Sequence, residues 1–244
     1  MDPTPVQVPP YPGEHALQSK FCFWFMQRDA NSRTAQAAEE YEKSIKPIAA
    51  FETVEGFFKV YNYLVKPSSI TVSTEIHLFR NMIKPIWEAR DNQRGGKVIL
   101  RLVKGLTNLI WEQLLIALVG DQFEVGDEIT GIVLSIRAHE DVISIWNRTA
   151  DDTHLVNRIR DGLKRVLDLP GFVRLEYKSH AKGMRSRGGN GEHRGDHHRG
   201  SHNSHNSDRS HGERPPLPGS QPGPSVPSAG PGSSRGGGGS GWRI

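Results

Sequence analysis

The chain has 244 residues, with 31 Lys+Arg against 27 Asp+Glu, a single cysteine and a mean hydropathy of -0.54. Charge is unevenly spread: residues 1–180 carry 22 basic against 23 acidic groups, and residues 181–244 carry 9 against 4. The near-neutral first part argues against a broad DNA-binding face. A lone Cys22 excludes an internal disulfide or a cysteine-rich metal site, and no apolar run reaches the roughly 20 residues of a membrane span.

Residues 1–14 are Pro-rich, lack a charged-then-apolar leader pattern, and are expected to be disordered. The aromatic run 20–26, Lys20 to Met26, reads as a buried strand. Residues 28–40 are polar and read as a loop. A second strand is expected over 45–51, with Pro47 marking an edge or bulge. Thr53 is a natural N-cap for a helix over 53–65. Phe57, Tyr61 and Leu64 fall on one stripe of that helix, and Val54, Phe58 and Val65 form a flanking stripe, so its apolar arc is wider than one core contact needs.

A short strand follows over 76–79, then a loop holding Trp87, then a strand over 97–104 after the Gly95-Gly96 turn. Thr107–Val119 reads as a helix. Residues 129–137 and 142–147 read as a hairpin, 151–167 as a third helix, and 172–177 as a last strand. Trp24 and Trp111 are assigned to the core, and His77 and His139 to surface or half-buried positions. Hairpin connections favour antiparallel pairing. The expected fold is α+β: a single curved antiparallel sheet with about three helices on its convex face and a ligand cleft on its concave face. The domain division is 1–14 as a loose segment, 15–180 as one folded domain, and 181–244 as a disordered Gly/Ser/His/Arg/Pro-rich tail.

The chemistry concentrates in Ile83-Lys84-Pro85-Ile86-Trp87-Glu88. Pro85 fixes its own φ and keeps Lys84 out of the helical region, so the stretch is expected to be an ordered extended loop. A Trp beside a Glu offers a flat π-face together with a carboxylate acceptor. That pair suits guanine, whose face stacks on indole while its N1–H and amine donate to the carboxylate. A guanine methylated at N7 is cationic and adds a cation–π attraction of about 2 kcal/mol in a desolvated ring contact.

The ordered pieces His15-Ala16-Leu17-Gln18, Phe23-Trp24-Phe25, Thr53-Val54-Glu55, Lys84-Pro85-Ile86-Trp87-Glu88, Arg94-Gly95-Gly96-Lys97, Gly131 to Arg137, Ile143-Ser144-Ile145-Trp146 and Glu176-Tyr177-Lys178-Ser179-His180 together resemble the eukaryotic initiation factor 4E family, over about residues 15–180. The resemblance implies a 7-methylguanosine cap held between two aromatic rings, with Trp87 as the second ring and Glu88 as the guanine carboxylate. The first ring matches Tyr41. That Tyr, and the Glu140 to Asn147 segment, are similar to the divergent 4E-homologous class II members. Trp146 matches the ring that touches the N7-methyl group, and Arg137 and Lys97 match cations for the cap phosphates. The family's third basic residue aligns with Val142, so one phosphate contact is missing unless Lys182 or another tail cation replaces it.

The resemblance also implies partners: capped mRNA, and an initiation scaffold of the 4G type or 4E-binding proteins. These carry a Tyr-x-x-x-x-Leu-apolar helix that docks on Val54, Phe58 and Ile116. Most members have Trp where Phe58 stands, so one indole N–H donor is absent. The expected role is cap binding in translation initiation or its regulation, in a reducing, cytoplasmic setting with no membrane. The alternative is a translational repressor that occupies caps without recruiting the scaffold. No catalytic constellation, cofactor or metal site is expected. A cap-hydrolysing enzyme would need clustered carboxylates for metal, and these are missing from the sequence. The six tail histidines have no ligand spacing. Arg187-Gly188-Gly189 and Arg235-Gly236-Gly237 offer at most unspecific RNA contact.

Overall fold

A computed structural model describes residues 3–27 and 42–181. Tyr41, the expected loop over 28–40 and the tail from 182 onward lie outside the described residues.

Eight strands form one sheet: β1 (Val6–Gln7), β2 (Ala16–Gln27), β3 (Lys46–Thr53), β4 (Thr74–Arg80), β5 (Gly96–Val103), β6 (Ile129–Ile136), β7 (Glu140–Asn147) and β8 (Glu176–Ser179). Their order across the sheet is β1-β3-β2-β4-β6-β7-β5-β8. The pairings are antiparallel except β1 with β3, which is parallel. The sheet is therefore mixed, and the expectation of a loose segment over 1–14 is corrected at Val6 and Gln7. Residues 8–15 cross the end of β3, which lets β1 and β2 flank that strand on opposite sides. The crossing is pinned where the Val54 N–H donates to the His15 carbonyl (2.9 Å) and Thr53 Oγ1 donates to Glu14 (2.8 Å).

Three α-helices follow the sequence pattern: α1 (Val54–Tyr61), α2 (Thr107–Val119) and α3 (Thr153–Val166). Thr53 caps α1 by accepting from the Gly56 N–H (2.9 Å), and Asp152 caps α3 by accepting from the Leu155 N–H (3.0 Å). The first helix is shorter than expected. It stops at Tyr61, the chain turns through Tyr63, which is 90 % exposed, and Pro67 opens a single 3-10 turn, Pro67–Ser69, instead of ending the helix. The last strand is also displaced. Val173, Leu175 and Tyr177 pack on the core, but ladder pairing with β5 begins only at Glu176, and Phe172 is exposed. Apolar spacing marks what packs, not what pairs.

Period-two alternation divides the side chains between two faces. Phe21, Phe23, Phe51, Leu78, Ile132, Leu134, Ile143 and Ile145 pack with Phe57, Val60, Ile110, Trp111 and Leu114 of the helices in the main core. Their alternates Cys22, Trp24, Met26, Phe79, Val133 and Trp146 form a second buried cluster with Ile45, Ile83 and Ile86. That second cluster supports the helix-free face. Cys22 is fully buried there, and desolvation pushes its thiol pKa up to about 12, so it is an inert packing group.

Candidate functional site

The loop joining β4 to β5 is built to hold Trp87 and Glu88 in place. Asn81 and Met82 adopt positive φ (49° and 59°) and reverse the chain out of β4. Ile83 and Ile86 are buried in the second cluster. Asn92 is completely buried and acts as a brace. Its Nδ2 donates to the carbonyls of Lys84 (3.1 Å) and Ile86 (2.9 Å). His180 fastens the other side, with Nδ1–H donating to the Asn92 carbonyl (2.9 Å) and its backbone N–H donating to the Gly95 carbonyl (2.9 Å). Trp87 is left half-buried and Glu88 exposed.

A cavity of about 470 Å³ opens on the helix-free face, and Trp87, Glu88, Lys97, Arg137, Val142 and Trp146 all line it. Every cap-site residue expected from the sequence, Tyr41 excepted, is thus brought to one cleft. Cross-strand register explains why. Phe79, Gly131, Trp146, Lys97 and Lys178 form one row across β4, β6, β7, β5 and β8. His77, Val133, Ser144 and Ile99 form the next, and Glu75, Ser135, Val142 and Arg101 the third. Successive rows are about 7 Å apart along the strands.

The first row is aromatic and cationic. Trp146 meets Phe79 edge-on, with ring centroids 5.5 Å apart at 76°. His180 lies 4.4 Å from the Trp146 ring and 6.2 Å from the Trp87 ring. The Lys97 ammonium sits 5.7 Å from the Trp146 centroid and 5.8 Å from that of Trp87, within reach of both π-faces. Burial, with a smaller push from Lys97, drives the His180 pKa down to about 4 against the upward pull of the Asn92 carbonyl. At neutral pH the ring beside the two indoles is uncharged. The far end of the cleft carries Arg137 and Arg101, so it suits an anion, while the aromatic end suits a flat, electron-poor ring.

The family model of eukaryotic initiation factor 4E matches residues 16–194. The chain is 42% identical over 173 residues to the eukaryotic translation initiation factor NCBP of Triticum aestivum, covering 71% of this chain and 73% of that one. It is 43% identical over 167 residues to eukaryotic translation initiation factor 4E-4 of Caenorhabditis elegans, covering 68% and 77%. This chain belongs to the eukaryotic initiation factor 4E family. Among solved structures, C. elegans eIF4E-3 in complex with the 4E-binding protein Mextli and a cap analog superposes with a TM-score of 0.64 at 32% identity, covering 70% of this chain and 95% of that one. Ascaris suum eIF4E-3 with the m7G cap gives 0.62 at 31% identity, covering 68% and 92%.

In this family member the other expected surface lies on the helices. Val54, Phe58 and Ile116 are exposed (37%, 43% and 39%), whereas Phe57 beside them is buried. Tyr61 Oη donates to Glu112 (2.7 Å) and ties α1 to α2.

His77 corrects the reading of a surface or half-buried histidine: it is 1% exposed, on the cleft floor. Asn92, Arg101, Lys178 and His180 were given no role by sequence reasoning. For Arg101 and Lys178 the available signal was strand alternation, which puts Arg101 in phase with Lys97 and Lys178 out of phase with core-facing Tyr177. Asn92 and His180 act through backbone carbonyls, of Lys84 and Ile86 for the one and of Asn92 for the other, which side-chain patterns do not mark.

Proposed function

We propose that the chain binds the 7-methylguanosine cap of mRNA in this cleft and acts in translation initiation or its regulation. The observation that carries the reading is the convergence on one cavity of Trp87 and Glu88 from the β4–β5 loop, Lys97 from β5, Arg137 from the β6–β7 turn and Trp146 from β7. The indole of Trp87 stacks on the methylated guanine, and the Glu88 carboxylate accepts from guanine N1–H and the exocyclic amine. Trp146 contacts the N7-methyl group. Arg137 and Lys97 face the phosphates.

Tyr41, outside the described residues, is proposed as the first stacking ring, opposite Trp87. The solved relatives carrying a cap analog or the m7G cap support the cap-binding reading. The role is binding, not catalysis, and its unit is the domain over 15–180 together with β1 at Val6–Gln7. Working on mRNA caps implies a cytoplasmic setting; none of the helices among the described residues is long and apolar enough to cross a membrane.

The partner surface is Val54, Phe58 and Ile116, and its occupant is an amphipathic helix with a Tyr-x-x-x-x-Leu-apolar pattern, from a 4G-type scaffold or a 4E-binding protein. The relative solved with Mextli, a 4E-binding protein, supports that class of partner.

The test is retention on immobilised 7-methyl-GTP. The chain should be retained and then released by free 7-methyl-GTP but not by GTP, and Trp87→Ala should flow through. Release by both nucleotides at equal concentration contradicts the reading.

A further inference from the structure

Val142 leaves the third row of the cleft without the cation expected there, and the cross-strand register supplies a different one. Arg101 is the direct partner of Val142 on β5 and lines the same cleft. It stands four residues beyond Lys97 on the same face of the strand, about 13 Å away. Its Nη1 donates to Oε1 of Glu140, and Nη1 of Arg137 stands 3.8 Å from that same oxygen. One carboxylate oxygen therefore bridges two guanidinium groups at the end of the cleft farthest from the aromatic rings.

We propose that Arg101 and Arg137 form a two-arginine seat for the distal phosphate of the bound cap, and that Glu140 is an internal occupant which this phosphate displaces. The proposal rests on the cap-binding reading and adds to it a binding residue, Arg101, and a gating residue, Glu140. Both arginines are half exposed, as is Glu140 (50%, 52% and 36% for their side chains), and ion pairs of that exposure are weak. A terminal phosphate brings more charge and more acceptor oxygens than one carboxylate, and guanidinium forks match it in two-pronged fashion. Exchange of Glu140 for phosphate is therefore favourable. The displaced carboxylate stays close by and opposes the incoming anion. The other acids near this row are otherwise engaged: Glu75 accepts from Ser135 Oγ (3.0 Å), and Asp141 is paired with Lys104 (2.5 Å) and Thr107 (2.6 Å).

The seat lies too far from the rings for a monophosphate, so its signature is dependence on phosphate number. Affinities of the full chain for 7-methyl-GMP and 7-methyl-GTP are measured by tryptophan fluorescence for the unsubstituted protein, Arg101→Gln, Arg101→Lys, Glu140→Gln and the Arg101→Gln/Glu140→Gln double variant. Arg101→Gln should weaken the triphosphate about tenfold and the monophosphate less than about twofold, with Arg101→Lys recovering part of the loss. Glu140→Gln should tighten only the triphosphate, by about threefold, and that gain should shrink in the double variant, where Arg137 alone remains to be freed. Equal losses on both probes, no loss at Arg101, or a loss at Glu140→Gln overturn the seat while the cap reading stands. Failure of the unsubstituted chain to bind either probe overturns the cap reading and the seat with it.

Discussion

The imidazole of His180 lies 4.4 Å from the indole of Trp146, centroid to centroid, with its Nδ1–H committed to the carbonyl of Asn92. One residue thus links the last strand, the Trp87 loop and the ring row of the cleft. Because burial holds its pKa at about 4, against an ordinary 6.5, the folded state binds its proton less readily than the unfolded chain. The stabilising contribution is complete above about pH 6.5 and is lost as pH falls through about 4, a change on the order of 3 kcal/mol. His180→Phe keeps a ring against the two indoles and cannot titrate. Denaturant unfolding at pH 7 and pH 4 should show the variant less stable at pH 7 but distinctly less sensitive to acid. An identical acid loss in both proteins would remove His180 as the cause.

Gly131 sits between Phe79 and Trp146 in the first row, and a Cβ there would come within 2.4 Å of the Phe79 ring. The missing side chain is what allows Phe79 to meet Trp146 edge-on. Gly131→Ala forces that ring aside and should destabilise the fold by about 1–3 kcal/mol. It should also weaken cap-analogue binding, because Trp146 loses its support. Thermal melting and a cap titration on the same preparation check both effects; a variant unchanged in both would show that Phe79 can move freely.

Glu88 is exposed, and Trp87 is half-buried at the edge of the second cluster, outside its buried residues. Trp87→Ala should cost about 1–3 kcal/mol in cap affinity through the lost stack. Glu88→Gln should cost about 1–2 kcal/mol by replacing a carboxylate acceptor with an amide that matches the guanine donors poorly. Melting temperatures should stay close to that of the unsubstituted protein. A large drop in either would assign these residues to structure instead of recognition.

On the helix face, Phe58 is exposed while Phe57, in contact with it at 5.0 Å, fills the core. Phe58→Ala should abolish capture of a Tyr-x-x-x-x-Leu-apolar peptide and leave cap affinity intact. Phe58→Trp should restore an indole N–H donor and strengthen peptide binding by about 1 kcal/mol. Calorimetric titration with such a peptide checks both, and unfolding of Phe58→Ala would move the residue into the core.

Much of this was legible because it depends on local periodicity. Ile145 and Trp146, adjacent on β7, fall in the two different clusters as alternation requires, and the pattern of α2 matched its observed ends. The two apolar stripes of α1 separated into buried Phe57 and exposed Val54 and Phe58. What escaped depends on register between distant strands. The two-residue strand at Val6 exists only because the edge of β3 is there to pair with it. The resemblance marked Val142 as the place of a missing cation; its partner Arg101 becomes visible only when β5 is laid beside β7. Asn92 braces the Trp87 loop through backbone carbonyls, which carry no sequence identity.

The most direct test of the cap-binding account compares 7-methyl-GTP with GTP on the full chain, following the intrinsic fluorescence of Trp87 and Trp146. Methylation makes the guanine cationic and adds only a methyl group, so the difference isolates the aromatic recognition. The account predicts quenching by both nucleotides, with 7-methyl-GTP binding tighter by about tenfold or more. Equal affinity for the two would contradict it.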